Sequence, residues 1–115
     1  MSATFSFTKL VVHDLEGMSA YSQRAFGLKE FDRIQAEIGP DSIDEVMLGV
    51  ESAYGPGSTM LLQVPDRPAP APGAVSLGCQ TDDLEGLEKC VVEAGGSIHT
   101  EIKESDVAPV RVAFV

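Results

Sequence analysis

Apolar positions along this chain change their spacing several times, and each change marks a predicted element. Residues 8–12 read Thr-Lys-Leu-Val-Val, rich in β-branched side chains, and the run stops at Asp14; this predicts a strand. Leu15, Met18, Tyr21 (or Ser22) and Ala25 then recur at helical spacing. They predict a helix over 15–26, with Asp14 as its N-cap, Glu16 in its first turn and Gly27 at its end. Strand-like runs follow at 29–36, 46–50 and 59–64. Residues 74–80 open as a strand again, and Leu84, Leu87, Val91 and Ala94 predict a second helix over 83–94, ended by Gly95-Gly96. Runs at 97–103 and 110–115 read as strands. Between the two halves, residues 65–73 carry four prolines, which favour a stiff extended connector over a strand.

The second half repeats the first. A shift of 69 places lays Asp14-Leu15-Glu16-Gly17 on Asp83-Leu84-Glu85-Gly86, and the same shift lays Ala25 on Ala94 and Gly27 on Gly96. A four-residue match alone would be weak, but further matches in one register and one structural context strengthen it. The predicted fold class is therefore α+β: two βαβββ modules forming a cupped, open mixed sheet. Module one spans 5–64, the proline-rich connector 65–73 and module two 74–115. The last strand of the second module is missing, since the shift would place it near 128–133. Either the natural protein continues past Val115 or another chain completes that sheet.

Length and composition narrow the functional classes. A chain of 115 residues is one domain with enough core to fold without metal or disulfide staples. Its 18 acidic and 8 basic residues leave a formal charge of −10, which repels phosphate backbones and anionic lipid. Nucleic acid and membrane are thus not expected as partners. The acids are scattered and form no tail. Cys79 and Cys90 are too few for a disulfide framework, lack metal-site spacing and lie among apolar neighbours; buried free thiols are expected. No basic stretch followed by an apolar run opens the chain, and no window approaches 18 apolar residues. A cytoplasmic location is expected.

Three segments carry a resemblance to a known family. They are Val12-His13-Asp14-Leu15-Glu16, the stretch from Tyr21 to Phe26-Gly27-Leu28, and Asp83-Leu84-Glu85 leading to Glu93-Ala94-Gly95-Gly96. Together they resemble the vicinal oxygen chelate superfamily, which includes glyoxalase I, extradiol dioxygenases, fosfomycin-resistance enzymes and bleomycin-binding proteins. The resemblance spans essentially the whole chain and implies a cupped barrel, with ligand in the concave space and helices on the convex face. It also implies, for the family's enzymes, a divalent metal held by His or Glu/Gln from four strands. In this chain the corresponding positions are Phe7, Leu61 and Ser76, the fourth lying beyond Val115. None of these side chains is a donor that zinc, iron or manganese would accept, and neither are their neighbours. His13 and His99 read as exposed or edge histidines. No metal and no cofactor are expected.

Strand alternation then names a cavity lining. If Phe7 faces the cup, so do Phe5, Lys9 and Val11, while Thr8, Leu10 and Val12 pack under the helix. On the opening strand of module two, Ser76, Gly78 and Gln80 face the cup, and Leu77 and Cys79 face the helix. The strand at 59–64 offers Thr59, Leu61 and Gln63 inward. The expected ligand-binding residues are Phe7, Lys9, Val11, Leu61, Gln63, Ser76 and Gln80. Carbon surface with a few polar groups suits a small organic ligand, although the same side chains could fill a collapsed core.

No nucleophile elbow, phosphate loop, Cys-x-x-Cys, His-Glu-x-x-His or dinucleotide fingerprint occurs, and Gly55-Pro56-Gly57 reads as a plain turn. The favoured function is a metal-free protein that binds or sequesters an apolar or aromatic molecule. The competing reading is a metal-dependent lyase, isomerase or dioxygenase whose ligands escape notice, and a partner-dependent structural role stands third. The apolar edge at 110–115, a template for strand pairing, together with the habit of this fold to assemble from two chains, leads us to expect a homodimer.

Overall fold

The computed structural model describes residues 6–38, 41–64, 67–71, 73–106 and 109–115. It is α+β, with a mixed four-stranded sheet, two helices and a short hairpin. In chain order the elements are β1 (Phe7–Val11), α1 (Leu15–Phe26), β2 (Lys29–Ile38), β3 (Asp41–Gly49), β4 (Ser58–Gln63), α2 (Leu84–Glu93), β5 (Lys103–Glu104) and β6 (Arg111–Val112). The main sheet runs β1-β4-β3-β2. β1 pairs in parallel with β4, and β2, β3 and β4 are antiparallel in succession. No helix among the described residues is long and apolar enough to cross a membrane.

Both helices begin as their sequences predict. Asp14 accepts a hydrogen bond from the Gly17 backbone N–H at 3.0 Å, and Asp83 does the same for Gly86 at 3.0 Å. Each satisfies one of the donors that a helix start leaves open. The glycines let the carboxylates come close: a Cβ on Gly17 would lie 2.3 Å from Asp14 Oδ2, and one on Gly86 would lie 2.2 Å from Asp83 Oδ2. Inside a helix, Gly→Ala ordinarily stabilises by about 0.5–1 kcal/mol. Here Gly17→Ala should displace the capping carboxylate and lose roughly that amount instead. In an Asp14→Ala background, where no cap remains to break, the same substitution should become stabilising. Urea unfolding of the four variants checks the reversal of sign, and a stabilising Gly17→Ala in the capped protein would refute it.

The core forms two layers. On the helix side, Val12, Leu15, Val46, Leu48 and Leu61 are buried together, with Leu10, Met18 and Leu28 packed against them. On the other side, Ile43, Leu62 and Val64 form a second cluster with Ala36. Ser19 lies on the buried stripe of α1, and its Oγ accepts from Gln23 Nε2 at 3.0 Å. Arg33 on β2 straps α1 to the sheet through Glu16 and also bonds Glu30 at 2.7 Å; its guanidinium holds the Glu16 carboxyl below the usual carboxylate range. In the second half Arg111 pairs with Glu85 of α2 at 2.6 Å and lowers that carboxyl in the same way. Glu16 and Glu85 are equivalent under the 69-residue shift. So are Arg24 and Glu93, and the Arg24 Nη2 donates to the Glu93 carbonyl at 2.9 Å where the helices meet.

The second half differs from expectation. Residues 74–80 form no strand and are exposed, and 97–103 and 110–115 contribute only the short pair β5–β6. The pairing of the first half explains why. β4 stands between β1 and β3 and supplies the backbone partners of both, and no described strand occupies that place in the second half. Residues 74–80 therefore have no ladder to join. Cys79, which lies in that segment, and Cys90, on the outer flank of α2, are both exposed, contrary to the buried thiols expected. Val75, Leu77, Val110, Phe114 and Val115 are exposed as well.

Candidate functional site

Register assigns the sheet's two faces. Lys9 lies beside Met60 and Met60 beside Met47, while Val11 lies beside Leu62 and Leu62 beside Glu45. Phe7 lies beside Ser58. Paired residues project to the same side, so Phe7, Lys9, Val11, Met47, Met60, Leu62 and Glu45 share the face away from α1. Phe7, Lys9 and Val11 thus stand together as expected, and Thr8, Leu10 and Val12 lie toward the helix. Phe5 lies outside the described residues.

Four of the expected lining residues are elsewhere. Leu61 is 2% exposed and belongs to the cluster under α1. Gln63 shares that side, where its Oε1 accepts from the Leu15 backbone N–H at 3.2 Å and so helps to cap α1. Thr59 follows the same parity. The physical reason is the phase of β4: pairing sets Met60 against Lys9, whereas an uninterrupted Met60-Leu61-Leu62 run shows no alternation of its own. Ser76 and Gln80 sit in the exposed, unpaired stretch 74–80 and add nothing to this face.

At the centre of the face is a residue that sequence reasoning missed. The Glu45 side chain is 1% exposed, and its Oε2 lies 3.1 Å from Lys9 Nζ. Lys9 is on β1 and Glu45 on β3, so their side chains meet above the strand between them, β4, close to Met60 and Leu62. The Lys9 side chain as a whole stays 42% exposed. The contact lies within ion-pair distance but not in hydrogen-bonding alignment, and Oε2 accepts no hydrogen bond among the described residues. A carboxylate buried with so little support is costly, and it depends on Lys9.

An aromatic pair borders the charges. Lys9 Nζ stands 6.0 Å from the centre of the Phe7 ring, which meets Tyr54 edge-on at 5.7 Å. Tyr54 comes from the loop between β3 and β4, and buried Ser58 ties that loop down. Its Oγ accepts from the Gly55 N–H at 2.9 Å and donates to the Ser52 carbonyl at 3.1 Å. Phe7 and Tyr54 remain 36% and 62% exposed, which leaves an open aromatic corner beside a fixed ammonium. The face thus offers exposed ring surface plus one accessible cation, over a buried floor of Met47, Met60 and Leu62.

A groove of about 530 Å³ lies on the helix side and is lined by Leu15, Glu16, Arg33, Gln35, Asp44 and Gln63. Its one cation, Arg33, is already engaged by Glu16 and Glu30, and its glutamine Gln63 by the helix start. It carries no aromatic side chain, unlike the Lys9 face. Among the described residues no three His, Cys, Asp or Glu side chains come together as metal donors. The donor chemistry at Phe7, Leu61 and Ser76 does not suit a divalent metal either.

No family model matches the chain, and no curated protein sequence matches it. Solved structures do. TioX from a Micromonospora species superposes with a TM-score of 0.61 at 18% identity, covering 96% of this chain and 87% of that one. The fosfomycin resistance protein FosX from Listeria monocytogenes, solved with Mn(II) and sulfate, gives 0.61 at 14% identity, over 90% and 80% of the two chains. A glyoxalase/bleomycin resistance protein/dioxygenase domain from a Frankia species gives 0.58 at 19% identity, over 92% and 78%. All three are vicinal oxygen chelate proteins, and at these identities the likeness establishes that this chain has their fold.

Proposed function

We propose that the protein binds a small apolar or aromatic molecule on the sheet face where Phe7, Lys9, Val11 and Tyr54 stand over the buried Met47, Met60 and Leu62, and that it does so without a metal or other cofactor. The observation that carries this reading is the Lys9–Glu45 pair set among apolar side chains beside an open aromatic corner. Small-molecule sites combine carbon surface with a few oriented polar groups in this way. The metal-dependent alternative draws support from FosX, whose structure contains Mn(II), but the side chains of Phe7, Leu61 and Ser76 do not fit a metal. A fold of this kind hosts several chemistries, so the site and not the fold must carry the argument.

The reading extends to assembly. The exposed Val75, Leu77, Val110, Phe114 and Val115 support a homodimer that covers the second half. Light scattering tests that part, and a stable monomer of 12.2 kDa would count against it.

For the site itself, titration with naphthalene should show saturable binding that chelator does not change. Phe7→Ala should weaken it by roughly 1–2 kcal/mol if the ring forms a wall, while Ser76→Ala should have no effect. An affinity indifferent to Phe7→Ala would move the site away from this face, and stoichiometric metal in protein purified without chelator would favour the enzyme reading.

A further inference from the structure

The two charges on this face determine what kind of ligand it can select, and the inference rests on the binding function proposed above. Glu45 Oε2 is fully enclosed, so a ligand cannot reach it without displacing Lys9. The polar group within reach is the ammonium of Lys9, which pairs with Glu45 by distance alone and keeps its N–H donors for other acceptors. A cationic ligand would meet that ammonium first and be repelled.

An anion is also a poor match, for three reasons. Glu45 already neutralises Lys9, so the pair has no net charge to offer. A ligand carboxylate on Nζ would lie close to the buried Glu45 carboxylate and be repelled by it. Asp32, which pairs with Met47 in the same register, adds a further acid to this side of the sheet, and the whole chain carries −10. What remains is a neutral molecule with a hydrogen-bond acceptor.

We propose that the site selects neutral aromatic carbonyl compounds, with the carbonyl oxygen accepting from Lys9 Nζ and the ring packed against Phe7 and Tyr54. Glu45 is the positioning residue. It holds Lys9 over β4 and cancels its charge, which turns an anion-attracting lysine into a donor for neutral oxygen.

Three naphthalenes of similar shape test this by calorimetric or NMR titration: 2-ethylnaphthalene, 2-acetylnaphthalene and 2-naphthoate. The ketone should bind roughly tenfold tighter than the ethyl compound, as a hydrogen bond to a charged donor implies, and tighter than the carboxylate. Glu45→Gln should shift the preference toward 2-naphthoate, because the lysine charge is no longer cancelled. Lys9→Met should erase the advantage of the ketone over the ethyl compound. If that variant is too unstable, Lys9→Met/Glu45→Leu gives the same comparison.

Equal binding of ketone and ethyl compound would overturn this inference and leave the binding face intact. A wild-type preference for 2-naphthoate, or a Glu45→Gln variant with unchanged ranking, would overturn it too. Failure of all three compounds to bind near Phe7 would remove the proposed function, and this inference with it.

Discussion

Leu61→Ala should lower the free energy of unfolding by about 3–4 kcal/mol, the largest loss expected from a single replacement in this chain. Leu61 is 2% exposed and sits among Val12, Leu15, Val46 and Leu48, where α1 presses on β3 and β4. Truncation removes its own burial and leaves a cavity that the surrounding elements can only partly close. The same variant should bind the naphthalene probes as wild type does, because its side chain points away from Lys9. Denaturant unfolding read beside a binding titration tests both halves. A cost under about 1 kcal/mol, or a loss of binding in protein shown to be folded, would contradict the assignment of Leu61 to the helix side.

The second large effect concerns the pair above β4. Lys9→Met should cost about 2–3 kcal/mol, because it leaves a buried carboxylate without its cation. The lower end of the usual range applies, since Lys9 is 42% exposed and water can partly take its place. Replacing both partners, as Lys9→Met/Glu45→Leu, should bring stability back to within about 1 kcal/mol of wild type, since apolar substitutes of similar size avoid the desolvation cost. Urea midpoints of the single and double variants decide the matter. A single variant as stable as wild type would mean that Glu45 does not depend on Lys9.

Much of the first half, and the second helix with it, was legible from local signals. The Asp14 and Asp83 caps and the apolar stripes of α1 and α2 need only neighbouring residues, and both helices appear within a residue of their predicted ends. β3 was harder. Its first residues include Asp41, Ser42, Asp44 and Glu45, which read as loop, so its prediction began only at Val46; the partners that make it a strand are on β2 and β4. The same non-locality hid the face of Leu61 and Gln63, which follows from Lys9 meeting Met60. Glu45 had a readable signal in hindsight: it alternates with Ile43 and Met47, an acid in a row of apolar side chains. Strand propensity at 74–80 was real but could not supply the pairing partner that a strand requires.

The parallel pairing of β1 with β4 also sets an order in time. Phe7 meets Ser58 and Val11 meets Leu62 only after α1, β2 and β3 have been threaded between them. β2 and β3 pair residues close in sequence, and β4 adds to β3 from the adjacent loop. Closing a long loop carries more entropy loss than closing a short one, and contacts between distant residues form slowly. During synthesis, therefore, β1 leaves the ribosome early and waits. Its apolar side chains, and Lys9 with them, stay solvated until β4 has been made. The Lys9–Glu45 contact, which joins β1 to β3 above β4, is then among the last features of the sheet to appear, so the binding face becomes complete only when the folding of this half does.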